Sequence, residues 1–271
     1  MIDKPPMLLL IDAGNTRVKW ACIAQDFAQD GLHFPPAWEA IGSVSHQGFD
    51  QLSQAIAHFS VVSCLISNVA GDSLQAEIEQ RLQVLFPSLP IRRFRSQAIC
   101  AGVRNHYLEP TKLGSDRFAS MIAAHTQFCG QDLIVATCGT ATTIDAITDS
   151  GDFLGGMILP GLQLMASSLA KNTAQLPQIA QHTDMPNLFA TQTDQAIASG
   201  CVHAQIGAIL SAVARFVEQH QRQPLLLISG GAAPYLIPQL RHVKNLQWQH
   251  VENLVLTGLW IASQAETTIH S

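Results

Sequence analysis

The chain has 271 residues, of which 47% are hydrophobic and 13% charged, enough to bury a large core in one domain or in two sharing a cleft. Its net charge of −5, with Arg92, Arg93 and Arg95 as the one basic knot, argues against a nucleic-acid partner. No unbroken apolar run reaches the ~20 residues of a membrane span, and six scattered cysteines (Cys22, Cys64, Cys100, Cys129, Cys138, Cys201) show neither C-x-x-C nor metal-ligand spacing.

A short apolar run at 7–11, interrupted at once by Asp12, is unlike a secretory core, so a cytoplasmic protein is expected. That run and a second one at 18–23 flank Asp12-Ala13-Gly14-Asn15-Thr16-Arg17, which reads as a β-hairpin. Its turn carries chemistry suited to phosphate. Gly14 lets backbone N–H groups approach an anion, Asn15 and Thr16 can donate, Lys19 supplies charge, and Asp12 can face a hydrated cation. The same residue types also make ordinary tight turns.

A third strand is expected at 38–42 and a helix over 49–59, where Leu52, Ile56 and Phe59 follow a helical period. A buried strand at 61–69 leads to a helix at 73–85, capped by Asp72 or Ser73, and then to a short strand at 91–94. This β-β-β-α-β-α-β order predicts a mixed sheet with helices on its faces. Pro110 and Gly114 punctuate a loop before a helix that starts at Ser115 or Asp116 and runs to about His125. Asp116 beside Arg117 there is either dipole-favoured capping or an acid–base and anion-binding pair.

A strand at 133–137 then runs into Cys138-Gly139-Thr140-Ala141-Thr142, and a second strand follows at 143–148. Gly14 and Gly139 thus hold matching places in two strand–turn–strand units, a plausible clamp for a polyphosphate. After a strand at 153–159, Pro160-Gly161 turns into a helix at 162–170. A polar loop follows Thr173-Ala174-Gln175-Leu176-Pro177. A long helix is expected at 194–217, then a strand at 225–228 closed by Ser229-Gly230-Gly231-Ala232, where a Gly-Gly turn can pass close to a flat ligand such as an adenine. The chain then enters a packed helix at 253–262.

Six stretches together resemble the type III pantothenate kinases, within the superfamily of acetate and sugar kinases, Hsp70 and actin. They are Asp12-Ala13-Gly14-Asn15-Thr16-Arg17-Val18-Lys19, Gly114-Ser115-Asp116-Arg117, Gly139-Thr140-Ala141-Thr142-Thr143, 155–161, 173–177 and 229–232. The resemblance implies an α/β fold of two ribonuclease H-like (actin-like ATPase) domains, each a mixed sheet flanked by helices, with a cleft between them. The boundary is placed at 1–113 and 114–271, the last helix packing on the first domain. It also implies ATP-dependent phosphorylation of the primary hydroxyl of pantothenate, the first step towards coenzyme A, with Mg2+ as cofactor and a homodimer as the assembly.

By that resemblance Asp12, Ala13, Gly14, Asn15, Thr16, Arg17, Val18 and Lys19 hold the phosphates, with Thr140 contacting them from the other half. Asp116 is the base. Gly114, Ser115 and Arg117 line the pantothenate pocket, and Tyr107 closes it. Thr193, in the less faithful segment Thr191-Gln192-Thr193-Asp194, reaches the partner's pocket. Thr137 stands where the family commonly has an aspartate that binds K+ or NH4+. A neutral hydroxyl is the weaker ligand, which sets that dependence apart from the family's. Two other readings keep the fold: a kinase of another small hydroxyl substrate, or a nucleotide-binding regulator.

Overall fold

Residues 7–11 form the middle of a sheet because both of their faces are covered, the situation in which a strand reads as a continuous apolar run. The computed structural model describes residues 4–25, 33–170 and 188–269. In it β1 (Pro6–Ala13) pairs antiparallel with β2 (Arg17–Ala24) and parallel with β4 (Ser60–Asn68). β3 (Ala40–Ser45) and β5 (Ile91–Phe94) complete the order β3-β2-β1-β4-β5. Met7, Leu9, Ile11 and Ala13 bury one face against α1 (Phe49–Ile56) and α2 (Asp72–Leu85), through Phe49, Leu52, Ile56, Leu74, Ile78 and Leu82. The opposite face, bearing Leu8, Leu10 and Asp12, is covered by α3 (Ser115–Gln127) and α7 (Leu254–Ile269). β6 (Ile99–Cys100) and β7 (Val103–Asn105) form a short antiparallel hairpin before α3.

The chain divides into two units, 1–127 with 254–271, and 128–253. The first unit holds both α3 and α7, which pack on each other: a Cβ on Gly258 would lie 1.8 Å from the Ala119 carbonyl oxygen, so the two helices approach backbone to backbone. α2 differs from its expected cap, since Gly71 at φ +97° precedes it and neither Asp72 nor Ser73 caps it with a side chain.

The second unit repeats the first's plan. β8 (Leu133–Cys138), β9 (Ala141–Ile147) and β10 (Asp152–Pro160) form an antiparallel meander; β11 (Leu225–Ser229) and β12 (Trp248–His250) add in parallel beside β8, giving β10-β9-β8-β11-β12. β8 thus has the place of β1. α4 (Leu162–Ala170), α5 (Thr193–His220) and α6 (Ala233–Leu240) cover one face. By length and composition α5 is able to cross a membrane, which a search for unbroken apolar runs does not reveal. Its Cys201, Val202, Ile206, Ile209, Val213 and Phe216 instead lie in the core.

Candidate active site

The β1–β2 turn is closed by the Gly14 N–H donating to the Arg17 carbonyl at 3.1 Å. Ala13 and Val18 face each other in register and are fully buried, so only their backbones are available to a ligand. Asn15, Thr16 and Arg17 are exposed at the tip. Asp12 pairs with Lys19 on one side and with Ser67 on the other, which sets these three side chains on the face covered by α3.

The N-terminus of α3 arrives at that face. The hydroxyls of Ser67 and Ser115 hydrogen-bond at 2.8 Å, both buried, tying β4 to the first turn of the helix. Asp116 follows, its Oδ1 accepting from the Arg117 N–H at 2.8 Å. Gly114 makes room for that carboxylate, since a Cβ there would lie 2.6 Å from Oδ1. Arg117 is only 7% exposed, and its Nη1 donates to the Tyr107 hydroxyl at 2.7 Å. Tyr107 is itself set by its N–H donating to Asn105 Oδ1, while the Asn105 amide donates to the carbonyls of Gln97 and Pro110.

Electrostatics join the two pieces. Burial, then the charge of Asp116, push the Asp12 carboxyl up to about 7, and Lys19 pulls the other way. Burial also raises Asp116, against the Arg117 N–H and guanidinium, which favour its ionised form. A site with two carboxylates raised by burial, a lysine and a buried arginine is suited to binding anions and moving a proton. The first unit therefore brings together Asp12, Lys19, Gly114, Ser115, Asp116, Arg117 and Tyr107.

Thr140 and Thr193 belong to the second unit. There the turn between β8 and β9 is framed by two glycines. A Cβ on Gly161 would lie 2.1 Å from the Gly139 carbonyl oxygen, and one on Gly230 (φ +92°) would lie 2.3 Å from that of Cys138. The Gly161 N–H donates to Thr140 and the Ala232 N–H to Cys138, both at 3.0 Å. These glycines therefore admit neighbouring backbone, whereas Gly231 has open space beside it. Thr140 is exposed at the tip, and Thr193 is exposed as the first residue of α5. Thr137 lies in register with Thr143 and Ser229, hydroxyl side chains on both sides. The motif 173–177 lies outside the described residues.

Two residues next to these motifs escape sequence reasoning: Ser67, which looks like the polar end of a buried strand, and His46, whose Nε2 is 2.9 Å from the Gly14 carbonyl oxygen. Only the register of β2 with β3, which pairs Arg17 with Ser45, carries a signal for the second.

A family model described as "Type III pantothenate kinase" matches residues 8–215. The type III pantothenate kinase of Herminiimonas arsenicoxydans is 48% identical over 254 residues, covering 93% of this chain and 96% of that protein. The type III pantothenate kinase of Janthinobacterium sp. (strain Marseille) is 47% identical over 256 residues, with the same coverage. Among solved structures, Porphyromonas gingivalis acetate kinase aligns with a TM-score of 0.52 at 11% identity, over 97% of this chain and 100% of that one, a likeness of fold.

Proposed function

The chain belongs to the type III pantothenate kinase family, and on that premise we propose that Asp116 handles the acceptor hydroxyl while the 12–19 hairpin holds the phosphates of ATP. A kinase of this family transfers a phosphoryl group from ATP to pantothenate on the way to coenzyme A. The observation that carries the assignment of roles is the pairing of Asp12 and Asp116, two carboxylates from distant segments close enough for the charge of one to raise the other.

Phosphoryl transfer has a loose transition state, so positioning and charge neutralisation dominate. The acceptor oxygen forms a bond to the γ-phosphorus as the bridging bond to ADP breaks, and its proton passes to Asp116. Burial helps here: a carboxylate raised above its usual range is a better proton acceptor near neutral pH. The buried Arg117, held by Tyr107, would bind the pantothenate carboxylate, with Gly114 and Ser115 forming the wall. Ser115 contributes backbone and shape, since its hydroxyl is engaged by Ser67.

Among the described residues no three Asp, Glu, His or Cys side chains cluster as a metal site. That fits Mg2+, which is commonly held by one or two carboxylates together with substrate phosphates. Asp12 is the residue to hold it, and the ion would neutralise charge on the phosphates. A cation beside Asp12 would also favour the ionised carboxylate that burial disfavours. With hydroxyls alone at Thr137, Thr143 and Ser229, the K+ or NH4+ dependence implied by the resemblance is weakened.

Thr140 would touch the phosphates from its own turn. Thr193 would reach the pocket of a second copy in a homodimer; the exposed Leu188 and Phe189, five and four residues before it, suit burial in such a contact. A cytoplasmic location suits these substrates and suits thiols of Cys22, Cys64 and Cys138 that burial raises.

The test is Asp116→Asn. Turnover should fall by roughly 10²–10⁴, with ATP binding by calorimetry close to that of the parent. Loss of ATP binding with intact turnover per bound complex would remove Asp116 from this role.

A further inference from the structure

We infer that His46 is a positioning residue for the phosphate turn, holding the Gly14–Asn15 peptide in the orientation that presents the Asn15 N–H to an anion. This rests on the reading of residues 12–19 as the phosphate site.

The geometry begins at β3. Its pairing with β2 sets Ser45 opposite Arg17, the residue whose carbonyl closes the β1–β2 turn. The chain then reverses tightly, with the Gly48 N–H donating to the Ser45 carbonyl at 2.9 Å. The reversal is close at Gly48, where a Cβ would come within 3.3 Å of the Val44 side chain. The reversal aims the His46 ring at the β1–β2 turn, where Nε2–H donates to the Gly14 carbonyl at 2.9 Å.

A trans peptide is planar, with its C=O and N–H pointing in opposite directions. Fixing the Gly14 carbonyl towards His46 therefore fixes the Asn15 N–H towards the other side. That N–H has no partner among the described residues. Gly14 makes the constraint necessary. With no Cβ on one side of the peptide, rotation of the plane is easy, and the opposite orientation would aim a carbonyl oxygen at the phosphates. His46 thus makes no contact with the nucleotide itself and acts through the backbone.

The experiment compares His46→Ala, His46→Gln and Thr16→Val, using ATP and ADP binding by calorimetry together with steady-state kinetics. Thermal unfolding confirms that each variant is folded. Loss of one oriented hydrogen bond to a charged phosphate predicts about a tenfold rise in Kd and KM for ATP with His46→Ala. The KM for pantothenate should not move. Glutamine offers an N–H at similar reach, so His46→Gln should recover most of the affinity.

If both His46 variants weaken ATP equally, the side chain has only a structural role and the inference fails. If His46→Ala binds ATP as the parent does while Thr16→Val binds it weakly, the inference fails and the phosphate-turn reading stands. If neither His46→Ala nor Thr16→Val changes ATP binding, the turn reading fails and takes the inference with it.

Discussion

The carboxylates of Asp12 and Asp116, 104 positions apart in sequence, share one electrostatic site in the first unit, and the charge of Asp116 helps hold Asp12 near 7. Asp116 is itself raised by burial, while the Arg117 N–H and guanidinium favour its ionised form. Two buried carboxylates in one place make the charge of the site sensitive to what binds beside it.

A pH dependence of stability follows. An unfolded Asp loses its proton near ~3.9, whereas folded Asp12 keeps it to about 7. Between these values the folded chain holds a proton that the unfolded chain lacks. The stabilisation is therefore present at the acid end and lost as pH rises through 7. Asp12→Asn, which cannot ionise, should raise the Tm of the ligand-free protein more at pH 8 than at pH 5. An equal shift at both pH values would show that Asp12 is ordinary in the folded state.

Arg117→Lys should be costly. The guanidinium is buried and oriented through the Tyr107 hydroxyl, and its planar fork matches a carboxylate in a way that an ammonium cannot reproduce. Loss of a hydrogen bond to a charged group, about 1.5–3 kcal/mol, should raise the KM for pantothenate by more than tenfold with the KM for ATP nearly unchanged. Equal effects on the two substrates would argue that Arg117 shapes the whole unit.

The second-unit turn distinguishes neighbouring glycines. Gly230→Ala adds a Cβ 2.3 Å from the Cys138 carbonyl oxygen at a backbone angle L-residues avoid, and Gly161→Ala adds one 2.1 Å from that of Gly139. Each should cost more than about 1–3 kcal/mol, the usual range for overpacking, because backbone and not a flexible side chain must move. Gly231→Ala, with open space beside it, should leave stability within about 1 kcal/mol, as for a compatible Gly→Ala. Chemical denaturation of the three variants measures this.

Because Thr137 and its register neighbours Thr143 and Ser229 offer only neutral hydroxyls, replacing K+ by Na+ in the assay should change turnover little. Thr137→Asp should make the rate respond to K+. A parent enzyme silent without K+ or NH4+ would mean that backbone carbonyls or other side chains hold the ion.

Both sheets are legible in the sequence because their central strands are apolar runs ending in glycine-bearing turns, and the Gly14 and Gly139 turns do occupy equivalent places, on β1 and β8. Periodicity misses α6, which contains Pro238, and β12, whose Trp-Gln-His has no apolar pattern. Asp116 is recognisable from its neighbours Gly114 and Arg117. Ser67 and His46 are not, since each acts through a partner dozens of residues away that only strand register brings near. Gly161 and Gly230 are visible as motif residues, yet what they approach is backbone of the adjoining turn.

The close crossing of α3 and α7 at Ala119 and Gly258 bears on how the protein is made. The face of β1 and β4 that carries Asp12 is roofed partly by α7, which the ribosome reaches only after the whole second unit of 128–253. At about 5–20 residues per second, the first unit waits roughly 6–25 s with that apolar face, including Leu8 and Leu10, lacking its second helix. The nascent chain must therefore pass through residues 128–253 before the first unit can close, and the carboxylates of Asp12 and Asp116 reach their final burial only once α7 has been made.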